Sequence, residues 1–199
     1  MRNGGGVKLS VLDMPAIIYT THAGPELGNA FADVISGRYS PAGRLAQTWY
    51  KSKYELAPIE CYNIIENDMT YLYYRGKPLY PFGYGLSYAK FEHSDFDVKE
   101  NGDVISVLLD VTNVSETDSD EVVQIYFRME NPSVKRPLRQ LVAFAREHIK
   151  GGSKRHFEFD IKKSELRFYD VSRERFAVEQ GRYTFMAGAS SEDIRLTKT

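Results

Sequence analysis

The sequence contains one cysteine, Cys61, among 199 residues. A single thiol cannot form an intramolecular disulfide, so a disulfide scaffold is excluded. Structural zinc sites usually need two or more thiolates, and the four histidines are scattered without ligand spacing: His22, His93, His148 and His156. We therefore expect no cofactor and no thiolate metal site, and any metal site would have to use oxygen ligands. The cellular compartment is left open.

The chain also lacks an excess of charge of either sign. Its 26 Lys and Arg against 27 Asp and Glu leave a net charge of −1, whereas nucleic-acid binders usually carry a large basic excess. No window approaches the roughly 18 apolar residues of a membrane-spanning helix, and residues 1–6 have no apolar signal-peptide core. We expect neither nucleic acid nor membrane as a partner. A content of 42% hydrophobic and 13% aromatic residues is typical of a globular chain.

Residues 15–37 have the pattern of a strand, a turn and a helix. The apolar run Ala16 to Thr20 is typical of a strand buried in a parallel sheet. Pro25 and Glu26 suit the first turn of a helix, and Gly37 suits its end. One face of that helix is apolar: Leu27, Ala30, Phe31, Val34 and Ile35. A single β-α unit cannot cover a sheet, so we predict that this is part of a truncated α/β sandwich domain.

Two further regions follow. Residues 47–94 are rich in aromatic and turn residues, too broken for a long helix, and we interpret them as a junction that fastens two packed units. From about Asp95 the apolar residues alternate with period two, as in Val107 and Leu109, and turn signals separate the runs. About seven short strands in roughly 100 residues predict an antiparallel two-sheet sandwich of immunoglobulin or fibronectin type III character, so the chain is mainly β.

Motifs that occur in order along the chain carry a family resemblance: Gly24 to Ala30, Ala32 to Gly37, Ser40 to Leu45, Met69 to Tyr74, Pro78 to Tyr88 with Phe91, Val111 to Asn113, Asp120 to Tyr126, Arg136 to Leu138, and Gly188 to Ser191 with Asp193 to Leu196. Together they resemble the carboxyl-terminal region of family 3 glycoside hydrolases, which include β-glucosidases and β-xylosidases. The last four motifs resemble the fibronectin type III-like domain that ends many of these enzymes. One departure is Met69, where members often carry Arg.

The resemblance implies that the catalytic groups lie elsewhere. The family's nucleophilic aspartate belongs to an amino-terminal barrel domain, and its acid/base glutamate is usually upstream of the matched region. Retaining glycosidases hold two carboxyl groups about 5 to 5.5 Å apart, and a (β/α)₈ barrel alone takes about 200 residues or more. We therefore assign no catalytic, cofactor-binding or metal-ligating residue to this chain, and we expect it to be inactive alone.

Several residues have both a functional and a structural interpretation. We interpret Glu26 and Asp33 as a helix-start charge and a solvent-facing residue rather than catalytic acids. We expect Arg44 to pair with a carboxylate or with backbone carbonyls near the junction rather than with substrate. The cluster from Lys135 to Arg139 predicts a solvated loop rather than a binding patch.

Two motifs have a similar double interpretation. The aromatic run between Tyr71 and Phe91 fits packing between domains better than stacking on sugar rings. The triplet Asn113-Val114-Ser115 matches a glycosylation acceptor, a motif that is common by chance.

The sequence thus predicts three regions: an α/β sandwich fragment (1–46), the junction (47–94) and a fibronectin type III-like sandwich (95–199). As the carboxyl-terminal part of a family 3 β-glycosidase, it would supply scaffold and domain packing. Its expected partners are the missing amino-terminal catalytic domains, β-linked oligosaccharide only through the parent enzyme, and further copies of itself through the apolar amino-terminal segment. The alternative is a free-standing β-sandwich interaction or carbohydrate-binding module, which would expose a row of aromatics on one sheet face.

Overall fold

The computed structural model describes residues 15–21 and 24–199, and these residues divide into two compact units, one that ends at residue 38 and one of residues 39–199. The helices are α1 (Leu27–Ile35) and α2 (Thr70–Tyr73), with 3-10 turns at Lys53–Glu55 and Lys163–Leu166. The described residues form nine strands: β1 (Phe91–Asn101), β2 (Val104–Asn113), β3 (Ser119–Met129), β4 (Gln140–Ile149), β5 (Lys154–Lys162), β6 (Phe168–Asp170), β7 (Arg175–Ala177), β8 (Tyr183–Gly188) and β9 (Ile194–Lys198).

Seven of these strands form the predicted sandwich. One sheet has the order β1-β2-β5 and the other the order β4-β3-β8-β9, and every pairing is antiparallel. β6 and β7 form a separate two-stranded hairpin. The predicted antiparallel two-sheet fold is confirmed.

The core lies between the two sheets and follows the alternation of the sequence. Val107, Leu109 and Val111 of β2 are fully buried, and they belong to the same apolar cluster as Val123 and Ile125 of β3. Burying a Val, Leu or Ile side chain contributes about 1.5–3 kcal/mol. These inward positions therefore set the register of the strands, since a slip by one residue would move them to the opposite face.

β4 has a weak pattern in its second half, where the charged residues Arg146, Glu147 and His148 stand in succession. β1 begins at Phe91, inside the segment predicted as the junction. The three region boundaries stay predictions.

The amino-terminal unit contains the predicted helix but not the predicted strand. α1 begins after Glu26 and ends before Gly37, whose φ of +75° is the left-handed conformation of a helix stop. Residues 16–20 have no regular secondary structure, so the strand prediction was wrong. A parallel strand forms by pairing with neighbours, and within the described residues no backbone pairs with this segment. His22 and Ala23, in the predicted turn, lie outside the described residues, as do residues 1–14.

The apolar face of α1 is left uncovered, as the sequence predicts for an incomplete α/β unit. Ile35 is 63% exposed and Leu27 is 40% exposed, and Phe31 is partly buried. Ile17 and Ile18 are exposed in the same unit. In the part of the chain that the structure describes, every helix is too short or too polar to cross a lipid bilayer.

Candidate functional site

β3 is buried on both faces, which is unusual for a strand of a two-sheet sandwich. Its inward residues face the core, but Val122, Gln124 and Tyr126, which point the other way, are also buried. Residues 39–90, here called the connecting segment, lie across this outer face. The contacts between the connecting segment and β3 combine buried polar groups with packed aromatic rings, and we treat them as the candidate site.

Gln124 is the polar centre of the contact. Its Nε2 donates to the carbonyl oxygens of Gly83 at 3.1 Å and Ala189 at 2.7 Å, and its Oε1 accepts from the Tyr126 hydroxyl at 2.6 Å. A buried amide with its donors and acceptor satisfied adds specificity, because any displacement leaves polar groups unpaired. Gly83 has φ of +80°, and a Cβ there would collide with the Gln124 amide. Only glycine fits this position.

Aromatic rings surround that amide. Tyr71 and Phe82 stack with centroids 4.1 Å apart, and Tyr71 meets Tyr126 edge to face at 6.2 Å. The backbone N–H of Leu141 donates to the Tyr71 hydroxyl at 3.3 Å. Burial raises the pKa of the Tyr71 and Tyr126 hydroxyls. These rings pack against one another and the sandwich, so packing is the interpretation that the geometry supports over sugar stacking.

Arg44 anchors the start of the connecting segment, and its predicted pairing with a carboxylate is confirmed. Its Nη2 donates to Glu121 Oε2 at 2.9 Å, and the Glu121 side chain is 2% exposed. On the other side, His93 Nε2 of β1 lies 3.5 Å from Glu121 Oε1. Burial lowers the pKa of Arg44, and the charge of Glu121 opposes that effect. A buried ion pair of this kind fixes geometry more than it adds stability.

Two stretches of the connecting segment are tied together by backbone hydrogen bonds. Leu45 N–H donates to Tyr84 O at 2.8 Å, and Gly83 N–H donates to Leu45 O at 2.7 Å. Trp49 and Tyr80 form an isolated antiparallel bridge, with their rings 6.0 Å apart. The aromatic run from Tyr80 to Tyr84 therefore has a backbone partner as well as a packing surface.

Strained backbone marks the turn into α2. Asp68 and Thr70 have φ of 49° and 63°, and the left-handed region is an outlier for a β-branched residue. The Thr70 N–H donates to the Tyr50 hydroxyl at 2.7 Å, which helps to hold this conformation. Met69, which stands where family members often carry Arg, lies between the two strained residues.

The predicted solvated loop at Lys135 to Arg139 was wrong for its arginines. The Arg136 guanidinium lies over the Phe168 ring at 4.3 Å, donates to Leu166 O at 3.2 Å, and has a side-chain exposure of 6%. Arg139 contacts the Ser191 carbonyl and pairs with Glu192. A charge run carries no periodic signal for which of its members is buried, so the sequence offered no means to foresee this.

Asn113 of the glycosylation triplet is a structural residue. It is fully buried, and its Nδ2 donates to Thr117 O at 2.8 Å and Ile149 O at 2.9 Å. Its Oδ1 accepts from the Ser115 hydroxyl at 2.6 Å. The nitrogen that would carry a glycan is therefore used inside the fold.

The other residues singled out in the sequence have local contacts or are exposed. Glu26 precedes α1 and accepts from Asn29 Nδ2 at 2.6 Å, and Asp33 pairs with Arg38 at 2.8 Å on the surface. Cys61 is exposed. Within residues 15–21 and 24–199, no group of three or more His, Cys, Asp or Glu side chains is arranged to hold a metal ion.

A cleft of about 400 Å³ on the sandwich contains two carboxylates, Asp170 and Glu179. Both already hold hydrogen bonds: Asp170 accepts from the Ser172 hydroxyl at 2.6 Å and Glu179 from the Ser133 N–H at 2.9 Å. The hydroxyl of Ser172 lowers the pKa of Asp170. A lowered pKa does not suit Asp170 to the role of a general acid. The absence of a catalytic assignment in this chain stays a prediction.

Two family models match the chain. The glycosyl hydrolase family 3 C-terminal domain matches residues 1–88, and the fibronectin type III-like domain matches residues 121–191. The thermostable beta-glucosidase B of Acetivibrio thermocellus is 32% identical over 99% of this chain and 28% of its own length. The xylan 1,4-beta-xylosidase of Xylanibacter ruminicola is 35% identical over 92% of this chain and 21% of its own length.

The comparison with solved structures points to the same group of enzymes. The beta-glucosidase of Kluyveromyces marxianus in complex with glucose has a TM-score of 0.80 at 32% identity, over 86% of this chain and 22% of that one. The beta-D-glucoside glucohydrolase of Trichoderma reesei has a TM-score of 0.78 at 28% identity, over 87% of this chain and 28% of that one. The chain spans about a quarter of the length of these relatives. It belongs to the family 3 glycoside hydrolases and corresponds to their carboxyl-terminal portion, including the fibronectin type III-like domain.

Proposed function

We propose that this chain is the non-catalytic, carboxyl-terminal scaffold of a β-glycosidase that hydrolyses terminal β-linked glucosides or xylosides. The observation that carries the proposal is the outer face of β3, where Gln124 and Tyr126 are used to hold the connecting segment against the sandwich. The rings of Tyr71, Phe82 and Tyr126, which a sugar-stacking interpretation would need, are occupied in packing. The relatives named above are glucosidases and a xylosidase, which supplies the substrate class.

Activity of the pure chain tests the first part. We expect no turnover of an aryl β-glucoside or aryl β-xyloside, because retaining hydrolysis needs two carboxyl groups about 5 to 5.5 Å apart. The positive counterpart is a fusion in which this chain replaces the matched region of the Acetivibrio thermocellus enzyme. Hydrolysis by the fusion together with inactivity of the chain alone supports the scaffold role, and turnover by the isolated chain contradicts it.

The alternative of a free-standing carbohydrate-binding module predicts an exposed row of aromatics on a sheet. Within the described strands of the two main sheets, Phe144 of β4 is the single exposed aromatic residue. Affinity electrophoresis against xylan, glucan and cellulose distinguishes the two functions. We expect no retardation in any gel, and clear retardation favours the module.

Self-association through the amino-terminal unit belongs to the same proposal. The exposed side chains of Ile17, Ile18, Leu27 and Ile35 would be covered in a complete α/β domain, and in its absence they favour contacts between copies. Light scattering at increasing concentration tests this. A strictly monomeric chain at high concentration contradicts it, and Ile35→Glu is expected to reduce any association that is observed.

A further inference from the structure

Residues 51–66 form a second apolar surface, here called the exposed loop, within the unit that contains the sandwich. It has a single 3-10 turn at Lys53–Glu55 and otherwise only turns and irregular backbone. None of its residues is buried. Its large apolar side chains are exposed: Tyr54, Leu56, Ile59, Tyr62, Ile64 and Ile65. Loops of more than about 12–15 residues are uncommon inside compact domains, and they are usually either functional or linker segments.

The exposed loop is nevertheless firmly built. Asn63 Oδ1 accepts from the N–H groups of Ile65 at 3.1 Å and Glu66 at 3.2 Å, and the Met69 N–H donates to Ile64 O at 3.0 Å. This arrangement fixes the backbone that carries Ile64 and Ile65 on the surface. A surface ordered before binding loses less conformational entropy on association.

Contacts with neighbouring residues hold the exposed loop near both of its ends. The Tyr74 hydroxyl donates to Glu55 Oε2 at 2.6 Å, and burial, reinforced by that carboxylate, raises the pKa of Tyr74 to about 12. Lys135 pairs with Asp68 at 2.7 Å and also contacts the Ile65 carbonyl. The loop is thus attached to the sandwich unit while its apolar side chains face outward.

The length of the relatives indicates which surface would cover the exposed loop. The loop lies within residues 1–88, which match the glycosyl hydrolase family 3 C-terminal domain, and the chain spans 28% of the Acetivibrio thermocellus enzyme. In such an enzyme most of the protein surface that is available for contact comes from the portion outside the match. Contiguous exposed apolar side chains with a charged rim are typical of an interface.

The charges on the exposed loop argue against a second copy of this chain as the partner that covers it. Glu60 follows Ile59, and Glu60 and Glu66 flank Tyr62 and Ile64 along the loop. In a two-fold symmetric pair the same patch contacts itself. Between Ile59 and Glu66 the loop has two acidic and no basic side chains. Two copies of this stretch would therefore bring like charges together, and juxtaposed like charges disfavour association.

We propose that the exposed loop, through Ile59, Tyr62 and Ile64, is the docking surface for the portion of a family 3 β-glycosidase that this chain does not span. The inference rests on the proposed function and adds a location to it. The partner surface is apolar, with basic groups placed to meet Glu60 and Glu66.

Cys61 provides a built-in probe, because it is the single cysteine of the chain and lies exposed between Ile59 and Tyr62. The experiment measures how fast a maleimide labels the Cys61 thiol in the isolated chain and in the fusion with the Acetivibrio thermocellus enzyme. The same fusion with Cys61→Ser gives the background labelling of all other thiols. We expect fast labelling of the isolated chain at every concentration. In the fusion we expect labelling to be slower by about tenfold or more, as for a site covered in the folded state.

A second measurement uses matched substitutions at exposed residues. Ile59→Glu in the fusion is expected to restore fast labelling of Cys61. Val171→Glu, at a residue 79% exposed between β6 and β7, is expected to leave it slow. Both variants should leave the unfolding midpoint of the isolated chain unchanged.

The outcomes separate the two proposals. Fast labelling in a fusion that hydrolyses aryl β-glucoside overturns the docking surface and leaves the proposed function standing. Slow labelling in an inactive fusion supports the docking surface and counts against the function. Labelling of the isolated chain that slows with concentration assigns the loop to self-association and overturns the inference. A second fusion, with the Kluyveromyces marxianus enzyme, repeats the test, and its outcomes are interpreted in the same way.

Discussion

The connecting segment has two parts of similar apolar character and opposite environment. Tyr71 and Phe82 are packed on the outer face of β3, whereas Tyr54 and Tyr62 are 85% and 86% exposed. The difference lies in the surface that each part meets. In β3, Gln124 donates a hydrogen bond to the backbone carbonyl of Gly83 in the packed part. Aromatic content therefore shows that a segment needs a partner, and the polar groups around it show whether that partner is in the same chain.

The largest effect should come from breaking the anchor of the packed part. Arg44→Met leaves Glu121 buried without its cation, and we expect a loss of about 3–5 kcal/mol in the free energy of unfolding. Urea unfolding followed by circular dichroism measures it. The double variant Arg44→Met/Glu121→Leu should regain much of the loss, since an apolar pair replaces an ionic one. Arg38→Met, which removes an exposed pair with Asp33, should change stability by about 1 kcal/mol or less.

A smaller loss is expected at the polar centre. Tyr126→Phe removes the hydroxyl that donates to Gln124 Oε1, and an unpaired buried acceptor costs about 1–3 kcal/mol. Tyr169→Phe, at a half-exposed residue on β6, is the matched control and should have almost no effect. Equal effects of the two variants would contradict the role given to the Gln124 contact.

Alkaline pH should weaken the packed part. Burial raises the pKa of Tyr71 and Tyr126 in the folded chain, while the unfolded value is about 10. Above that value the unfolded chain loses protons that the folded chain retains, so stability falls as the pH rises past about 10. The single tryptophan, Trp49, lies in the connecting segment, and its fluorescence measures this loss. Tyr126→Phe should make the loss of stability above about pH 10 less steep. An unchanged dependence on pH would show that Tyr126 does not cause this loss.

Acid should have a weaker effect, on the sandwich surface. The hydrogen bond from His156 lowers the pKa of Asp110, with Lys154 adding to it. The stabilisation from this depressed pKa is present above the unfolded value of about 3.9 and is lost as the pH falls through the folded value. Asp110→Asn should make the acid decline shallower in urea unfolding at several pH values. If the free energy of unfolding of Asp110→Asn falls with decreasing pH as steeply as in the unsubstituted chain, other carboxylates cause the loss.

The smallest effect is expected in the exposed part. Tyr62→Ser removes an aromatic ring that the described chain leaves in solvent, so the free energy of unfolding should stay within about 0.5 kcal/mol. Thermal unfolding of the isolated chain measures it. A loss above about 1 kcal/mol would mean that the exposed loop is packed within the chain, and the contrast between the two parts would disappear.

Sequence patterns predicted the sandwich well, because alternation at residues such as Val107 and Ile125 is a direct consequence of a strand with one face in the core. They failed at Ala16 to Thr20, where an apolar run predicts a strand whose pairing partners no pattern can supply. Of the candidate site, the pairing of Arg44 with a carboxylate was predicted. Gln124 was missed because a polar residue at an outward position normally faces water, and its environment is set by a segment about 40 residues away in the sequence.

The buried amide of Asn113 bears on how the protein is made. In a host that adds glycans to nascent chains, the triplet Asn113-Val114-Ser115 would be available before β2 pairs with its neighbours. A sugar attached at that moment would take the nitrogen that donates to Thr117 and Ile149. Modification and folding would then compete for one atom, and the modified fraction would be unable to close the sandwich. Production in a bacterial cytoplasm as a comparison separates the yield lost to this competition from any intrinsic instability.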